Sequence, residues 1–338
     1  MKKLNVLTSY FNALRENQNY KSLSEDEIYA ELNKMELYRF EKVLDLPENF
    51  VSDVIFNLTN TKLLDNEKEK EIIDYLNKSL VNGIANLRLI SKCLRYLLRK
   101  ETDCHNALIV IDVQNDFISG NLSLKNSPAG QDGEEVVNII NSILDLKLFC
   151  SVYYTLDWHK EDHCSFVNNV KKYPLHESFR SMDNPEVFTK VIYDGEIPRE
   201  QVLWPSHCIQ NSSGAELHPN LKIIDGAKFI YKGQHSHCDS YSAFWDNSKF
   251  SQTELFFHLL DNNIQRNFIC GLALDFCVGF TSLDSAEHGF DTFVILDATR
   301  GVSENTIEEM KNRMNSVGVK LVTIRWKCSR HVVDMLSS

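Results

Sequence analysis

Ala107-Leu108-Ile109-Val110-Ile111, followed by Asp112-Val113-Gln114-Asn115-Asp116-Phe117, decides how the chain is read. Five consecutive aliphatic residues, three of them β-branched, form a run too short for a helix and without polar alternation, the pattern of a strand covered on both faces. The polar residues behind it then stand at a strand's carboxyl end. The same pattern returns downstream in Cys150-Ser151-Val152-Tyr153-Tyr154, in Ala227 to Tyr231, in Asn267-Phe268-Ile269-Cys270 and in Thr292-Phe293-Val294-Ile295-Leu296. Helical stretches between these runs provide crossovers, which predicts an α/β domain of three α/β/α layers around a mainly parallel sheet. Functional groups in such a domain collect beyond the carboxyl ends of the strands.

Upstream the pattern is different. Residues 20–100 lack β-branched runs. Ser24-Glu25-Asp26-Glu27 has the form of a capping box, with Ile28, Leu32 and Met35 on one helical face, and Ile72, Ile73, Leu76 and Leu80 form another apolar face among Glu and Lys. The chain therefore divides into an all-helical N-terminal extension, 1–102, and an α/β domain, 103–338. An EF-hand is the sharp alternative for the extension. Its best acidic register, Asp65, Glu67 and Glu69, places Lys70 where the loop needs glycine and Leu76 where it needs a bidentate glutamate, so the extension is degenerate EF-hand-like at most.

A net charge of -11 supplies no broad basic surface, which argues against a nucleic-acid partner. No apolar run approaches the roughly 18 to 20 residues of a membrane span, and polar residues break the segment after Met1-Lys2-Lys3 before a signal peptide can form. Nine cysteines, an odd number without paired spacing, resemble reduced thiols rather than a disulfide framework. A soluble protein of the cytoplasm or nucleus acting on a small molecule is the expectation, and a homo-oligomer is compatible with it.

Five motifs carry chemistry. Asp112, at a strand end, is a candidate base, the bland reading being that Asp112 or Asp116 caps a turn. In Asp157-Trp158-His159-Lys160-Glu161-Asp162-His163, the residues Asp157 and His159 are two apart, so an extended segment points both the same way and they can share a metal ion. His163 is a rival ligand, and turn hydrogen bonds are the alternative for the whole stretch. His207, in Trp204-Pro205-Ser206-His207-Cys208, is the third candidate. Three protein ligands leave an ion open to water or substrate, as in catalytic sites; Cys208 reads as a packing residue.

Lys232, in Tyr231-Lys232-Gly233, ends an apolar run. Lysines are seldom buried unpaired, yet one facing Asp112 would hold that carboxylate ionised and make a neighbouring thiol's surroundings electropositive. Cys277 lies in Cys270-Gly271-Leu272-Ala273-Leu274-Asp275-Phe276-Cys277-Val278, leading from a strand into a helix. A helix N-terminus would lower its thiol pKa and present amides to an oxyanion, whereas a bare cysteine is more often a buried small hydrophobe.

Taken in order, Asp-x-Gln-Asn-Asp-Phe, Asp-Trp-His, Trp-Pro-x-His-Cys, Lys-Gly with Asp-Ser-Tyr-Ser-Ala-Phe, and Gly-Leu-Ala-x-Asp-Phe-Cys-Val make residues 107–327 resemble the nicotinamidases of the isochorismatase-like cysteine hydrolases, here with an N-terminal helical extension. The resemblance implies a catalytic triad of Asp112, Lys232 and Cys277. It implies metal ligands Asp157, His159 and His207 for a divalent ion, foremost zinc. It further implies a pocket lined by Phe117, Trp204, Tyr241 and Phe276, a cis peptide at Leu272-Ala273, and an oxyanion hole from the amides of Ala273 and Cys277. Two residues depart from the family pattern: Phe276 replaces the tyrosine common before the cysteine, and Leu274 stands where a small polar residue is frequent.

The implied reaction is hydrolysis of nicotinamide to nicotinate and ammonia through a thioester on Cys277, a step of NAD salvage. Another heteroaromatic amide such as pyrazinamide is the alternative substrate. A catalytically silent, partner-binding protein is the alternative from a different class.

Overall fold

In the computed structural model of the chain the described residues are 106–324, apart from 181, 183, 196 and 197. The helical extension over 1–102 lies outside them. Eight strands are present among the described residues: β1 (Asn106–Ile111), β2 (Ser151–Asp157), β3 (Lys190–Tyr193), β4 (Arg199–Val202), β5 (Lys228–Lys232), β6 (Arg266–Leu272), β7 (Asp291–Arg300) and β8 (Lys320–Val322). Six of them form one sheet in the order β5-β2-β1-β6-β7-β8, with every pairing parallel. β3 and β4 pair separately and antiparallel.

Helices α1 (Asn115–Ile118), α2 (Glu135–Asp145), α3 (Leu255–Asp261), α4 (Gly279–Glu287) and α5 (Glu304–Ser316) accompany the sheet. None is long and apolar enough to cross a membrane. β1 is buried at every position because both its faces are covered, hence its unbroken aliphatic sequence. Leu108 and Val110, on one face, join Phe268, Cys270, Phe293 and Ile295 of the neighbouring strands. Against them α2 sets Val136, Val137, Ile140, Ile143 and Leu144, spaced at three and four residues on one helical face. Burying each such side chain contributes about 1.5–3 kcal/mol, and truncating Ile140 to Ala costs about 2–5 kcal/mol with the cavity it leaves. The β3–β4 pair has its own small core of Cys164, Val170, Val191, Tyr193 and Leu203.

The strand order fixes where chemistry can occur. From β1 the sheet grows outward through β2 to β5, and the chain then returns to add β6 on the opposite side of β1. Its direction of growth therefore reverses between β1 and β6, which opens a crevice beyond their carboxyl ends. Asp112 follows β1, and Cys277 follows β6 by five residues.

Candidate active site

Asp112 leaves β1 with φ +46, a left-handed conformation that aspartate tolerates better than most residues. Its backbone N–H donates to the Thr155 carbonyl (3.2 Å) and hydroxyl oxygen (3.1 Å). The carboxylate is fully buried. Oδ1 accepts from the Thr155 hydroxyl at 2.6 Å, whereas Oδ2 has the Lys232 ammonium at 2.9 Å and no further well-aligned hydrogen bond. Burial raises the Asp112 pKa and Asp157 adds to this, against the opposing pull of Lys232 and Thr155.

Lys232 is the last residue of β5, in register with Asp157, the last of β2. Only 2% exposed, it holds its charge among Asp112, Asp157, the Ser240 carbonyl (3.0 Å) and the Cys277 sulfur (3.3 Å). Burial alone would strip the proton from such a lysine. The Asp112 and Asp157 carboxylates outweigh it and hold the ammonium well above its ordinary pKa.

Cys277 sits within a single π-turn, Leu274–Val278, that joins β6 to α4. Phe276 and Val278 both donate backbone N–H groups to the Ala273 carbonyl, at 3.1 and 3.0 Å, and the Leu272-Ala273 peptide is cis, as expected. The turn is fastened from outside by Asp275. Its carboxylate accepts from the backbone N–H groups of Val302 (2.9 Å) and Ser303 (3.1 Å) and from the Thr306 hydroxyl (2.5 Å), so it caps the start of α5, where the Ser303 side chain makes no cap.

The helix-dipole expectation for Cys277 is not met. Regular helix starts only at Gly279, and burial pushes the thiol well above its ordinary pKa, with Lys232 opposing and Asp112 and Asp157 reinforcing the rise. Burial thus favours the neutral thiol. Asp112, Asp157 and Cys277 each offer an atom within 4.8 Å of the others, so a carboxylate stands ready to take the Cys277 proton.

The other half of the site is a donor set. One oxygen of Asp157 and one nitrogen each of His159 and His207 lie within 4.8 Å of one another, all buried. His159 Nδ1 is 2.9 Å from the Gly233 carbonyl and His207 Nδ1 is 2.8 Å from the Pro205 carbonyl. A carbonyl only accepts, so both Nδ1 atoms carry hydrogen and Nε2 is the ring nitrogen that each histidine can offer an ion on losing any proton there. Those Nε2 atoms stand 3.5 and 3.8 Å from Asp157 Oδ2. Two imidazoles with backbone-fixed tautomers and one carboxylate suit a divalent ion of the zinc type.

His163 differs. Its Nδ1 lies 2.7 Å from the Ser165 hydroxyl oxygen, burial pushes its pKa down to about 3, and with His159 and Asp239 it forms a second buried group whose donor atoms lie within 4.8 Å of one another.

The two halves meet at one pocket, bordered by Cys277, Ala273, Asp157 and His207 and walled by Phe117, Trp204, Tyr241 and Phe276. Trp204 and Phe276 meet edge to face at 4.8 Å, Tyr241 and Phe276 at 5.3 Å, and Phe117 stands edge-on to His207 at 5.4 Å. All the sequence-derived site residues thus converge, with Asp112, Lys232 and His159 placed behind the wall rather than in it. Sequence reasoning missed Leu122, Leu124, Val302 and Asp239 in the lining and Thr155 beneath Asp112. A hydroxyl inside the otherwise apolar end of β2 was the available signal for Thr155.

Residues 106–325 match the isochorismatase domain. The nicotinamidase of Acinetobacter baylyi is 34% identical over 235 residues, covering 69% of this chain and 98% of its own length. The nicotinamidase of Saccharomyces cerevisiae is 30% identical, over 64% of this chain and 98% of its own. The solved yeast nicotinamidase bound to the inhibitor nicotinaldehyde superposes with a TM-score of 0.55 at 30% identity, covering 65% of this chain and all of that one. The chain belongs to the isochorismatase domain family, alongside these nicotinamidases.

Proposed function

We propose that the protein hydrolyses nicotinamide to nicotinate and ammonia, with Cys277 as nucleophile, Asp112 as base and Lys232 as the fixed positive charge between them. The observation that carries this is one pocket bordered both by a thiol, with an ammonium and a carboxylate behind it, and by Asp157 and His207, which with His159 behind them can share an ion. A zinc-type ion held by Asp157, His159 and His207 would supply an open coordination position for the pyridine nitrogen and withdraw electrons from the ring's carboxamide.

The chain's own groups carry the bond changes. Asp112 takes the Cys277 proton as Sγ bonds to the amide carbon, and the carbonyl electron pair moves onto oxygen against the Ala273 and Cys277 amides. Collapse breaks the C–N bond, Asp112 returns the proton to the departing nitrogen, and ammonia leaves a thioester. Asp112 then deprotonates water, which attacks the thioester and releases nicotinate, and the proton returns to Sγ. A neutral resting thiol fits this sequence, because the proton is removed during attack rather than before it. Lys232 stays charged throughout, stabilising whichever neighbour is negative.

The pocket's aromatic walls accept a flat ring without selecting its second nitrogen, so pyrazinamide is a second substrate, in keeping with the Mycobacterium tuberculosis relative named nicotinamidase/pyrazinamidase, 28% identical to this chain. Cys150, Cys164, Cys208, Cys238, Cys270 and Cys277 are free thiols, which suits a reducing compartment, cytoplasm or nucleus.

Ammonia release from nicotinamide tests the assignment. Wild type should turn over and Cys277→Ser should lose at least about a thousandfold in kcat. Turnover retained in that variant overturns the mechanism.

A further inference from the structure

The turn after β1 supplies more than a base. Gln114 is fully buried, and its side-chain amide makes three backbone hydrogen bonds: Oε1 accepts from the Asp157 N–H at 2.9 Å, and Nε2 donates to the carbonyls of Asp157 and Ala215, each at 2.8 Å. The β1–β2 pairing ends at Val110 and Tyr154, three residues short of Asp157. Beyond that point the Gln114 amide replaces a strand and holds both polar groups of the Asp157 backbone.

Two residues on, Asp116 performs the matching task for the histidines. Its Oδ2 accepts from the Cys208 N–H at 2.7 Å, and its Oδ1 accepts from the Asn121 N–H at 2.9 Å. Cys208 adopts φ +45 directly after His207, and its carbonyl accepts from the His159 N–H at 3.0 Å. One residue, Cys208, thereby joins both histidine segments, with a charge-assisted hydrogen bond fixing its N–H. The carboxylate has little room to move: a Cβ on Gly120 would lie 2.2 Å from Oδ1, and one on Gly214 would lie 2.1 Å from Oδ2. Neither Gln114 nor Asp116 borders the pocket, and Gln114 reaches Asp112 and Asp157 through their backbones, its own N–H donating to the Asp112 carbonyl at 2.8 Å.

We propose that Gln114 and Asp116 are positioning residues that set the affinity of the Asp157, His159 and His207 site for its divalent ion; this rests on the metal reading of those three residues. The segment Asp112 to Asp116 then serves both halves of the active site, with Asp112 for proton transfer and Gln114 and Asp116 as struts for the ligands. Outer partners of this kind change metal affinity by about 10–100-fold when removed.

The test measures zinc directly. Full-length wild type and variants are stripped with a chelator and titrated with zinc against a chromophoric competitor. Gln114→Leu and Asp116→Ala should each bind zinc about 10–100-fold more weakly, with activity at limiting zinc recovering as zinc is added. Asp116→Asn, which keeps an acceptor oxygen for the Cys208 N–H, should retain most of the affinity, whereas Asp116→Leu, similar in volume but without an acceptor, should not; equal affinity in the two would mark a purely steric role and overturn the hydrogen-bonding one. Zinc affinity within about twofold of wild type in both Gln114→Leu and Asp116→Ala overturns the proposal, given the size of effect expected. Circular-dichroism melts of the stripped proteins check folding; if Asp116→Ala does not fold, Gly214→Ala, which crowds Oδ2, takes its place under the same criterion. A separate failure is distinguishable: if His159→Ala with His207→Ala binds zinc as wild type does, the metal reading itself falls.

Discussion

Lys232 donates to the Cys277 sulfur across 3.3 Å while its charge is already committed to Asp112 and Asp157. An ammonium owned by two carboxylates cannot by itself hold a resting thiolate, and burial keeps the thiol protonated. Its value lies in the moment after proton transfer to Asp112, when the sulfur becomes the nearby anion in need of a partner. Removing it would leave two buried carboxylates uncompensated. Lys232→Met should therefore lower stability by about 3–5 kcal/mol as well as abolish turnover, with chemical denaturation separating that loss from the catalytic one.

Asp112 must be ionised to act as a base, and burial raises its pKa above the ordinary 3.8. As pH falls through that raised value the carboxylate gains a proton, so kcat/KM should decline on the acid side at higher pH than an exposed aspartate would give. Thr155 opposes the shift with its 2.6 Å hydrogen bond. Thr155→Val, close in volume but without the hydroxyl, should move the acid limb further up in pH. A profile unchanged in this variant would remove Asp112 from the role of base.

Gly233 (φ +66) accepts the His159 ring N–H through its carbonyl, and a Cβ there would lie 2.3 Å from His159 Cε1. Gly233→Ala should displace the imidazole, cost about 1–3 kcal/mol in strain and leave the purified protein metal-poor. His159→Ala with His207→Ala should show the same metal deficit without the backbone strain. Elemental analysis of the purified proteins, read beside thermal melts, distinguishes the two.

Asp275 should act on geometry rather than on binding. Asp275→Ala removes the carboxylate that joins the nucleophile turn to the start of α5, and loss of such a cap costs about 0.5–2 kcal/mol. With Cys277 less firmly placed, kcat should fall more than KM rises, which steady-state kinetics with nicotinamide would show.

Much of this architecture was legible in the residues because burial on both faces demands aliphatic strands. The runs at Ala107, Cys150, Ala227, Asn267 and Thr292 mark five of the six strands of the main sheet, and the polar residues after them mark the site. β2 runs on to Asp157 because β5 and the Gln114 side chain pair with it, partners that a local pattern does not reveal. β8 and the β3–β4 pair escaped notice since their positions are partly exposed and their sequences mixed, as in Arg199-Glu200-Gln201-Val202. The place proposed for Cys277 as nucleophile came from its motif, but the upward shift of its thiol pKa did not, because desolvation depends on neighbours distant in sequence. Asp116, read as a turn cap, does accept a local N–H from Asn121; its stronger tie to Cys208 spans 92 positions.

The carboxylate of Asp275 reaches forward to Val302, Ser303 and Thr306, all of which lie after the last catalytic group in the chain. A chain ending before Val302 would already contain Asp112, Asp157, His159, His207, Lys232 and Cys277, yet the cysteine's turn would keep only its own bonds to the Ala273 carbonyl and lose the outer clasp. The outer support of the Cys277 turn is thus supplied by a segment that follows it in the chain, which ties the placement of this thiol to the docking of α5.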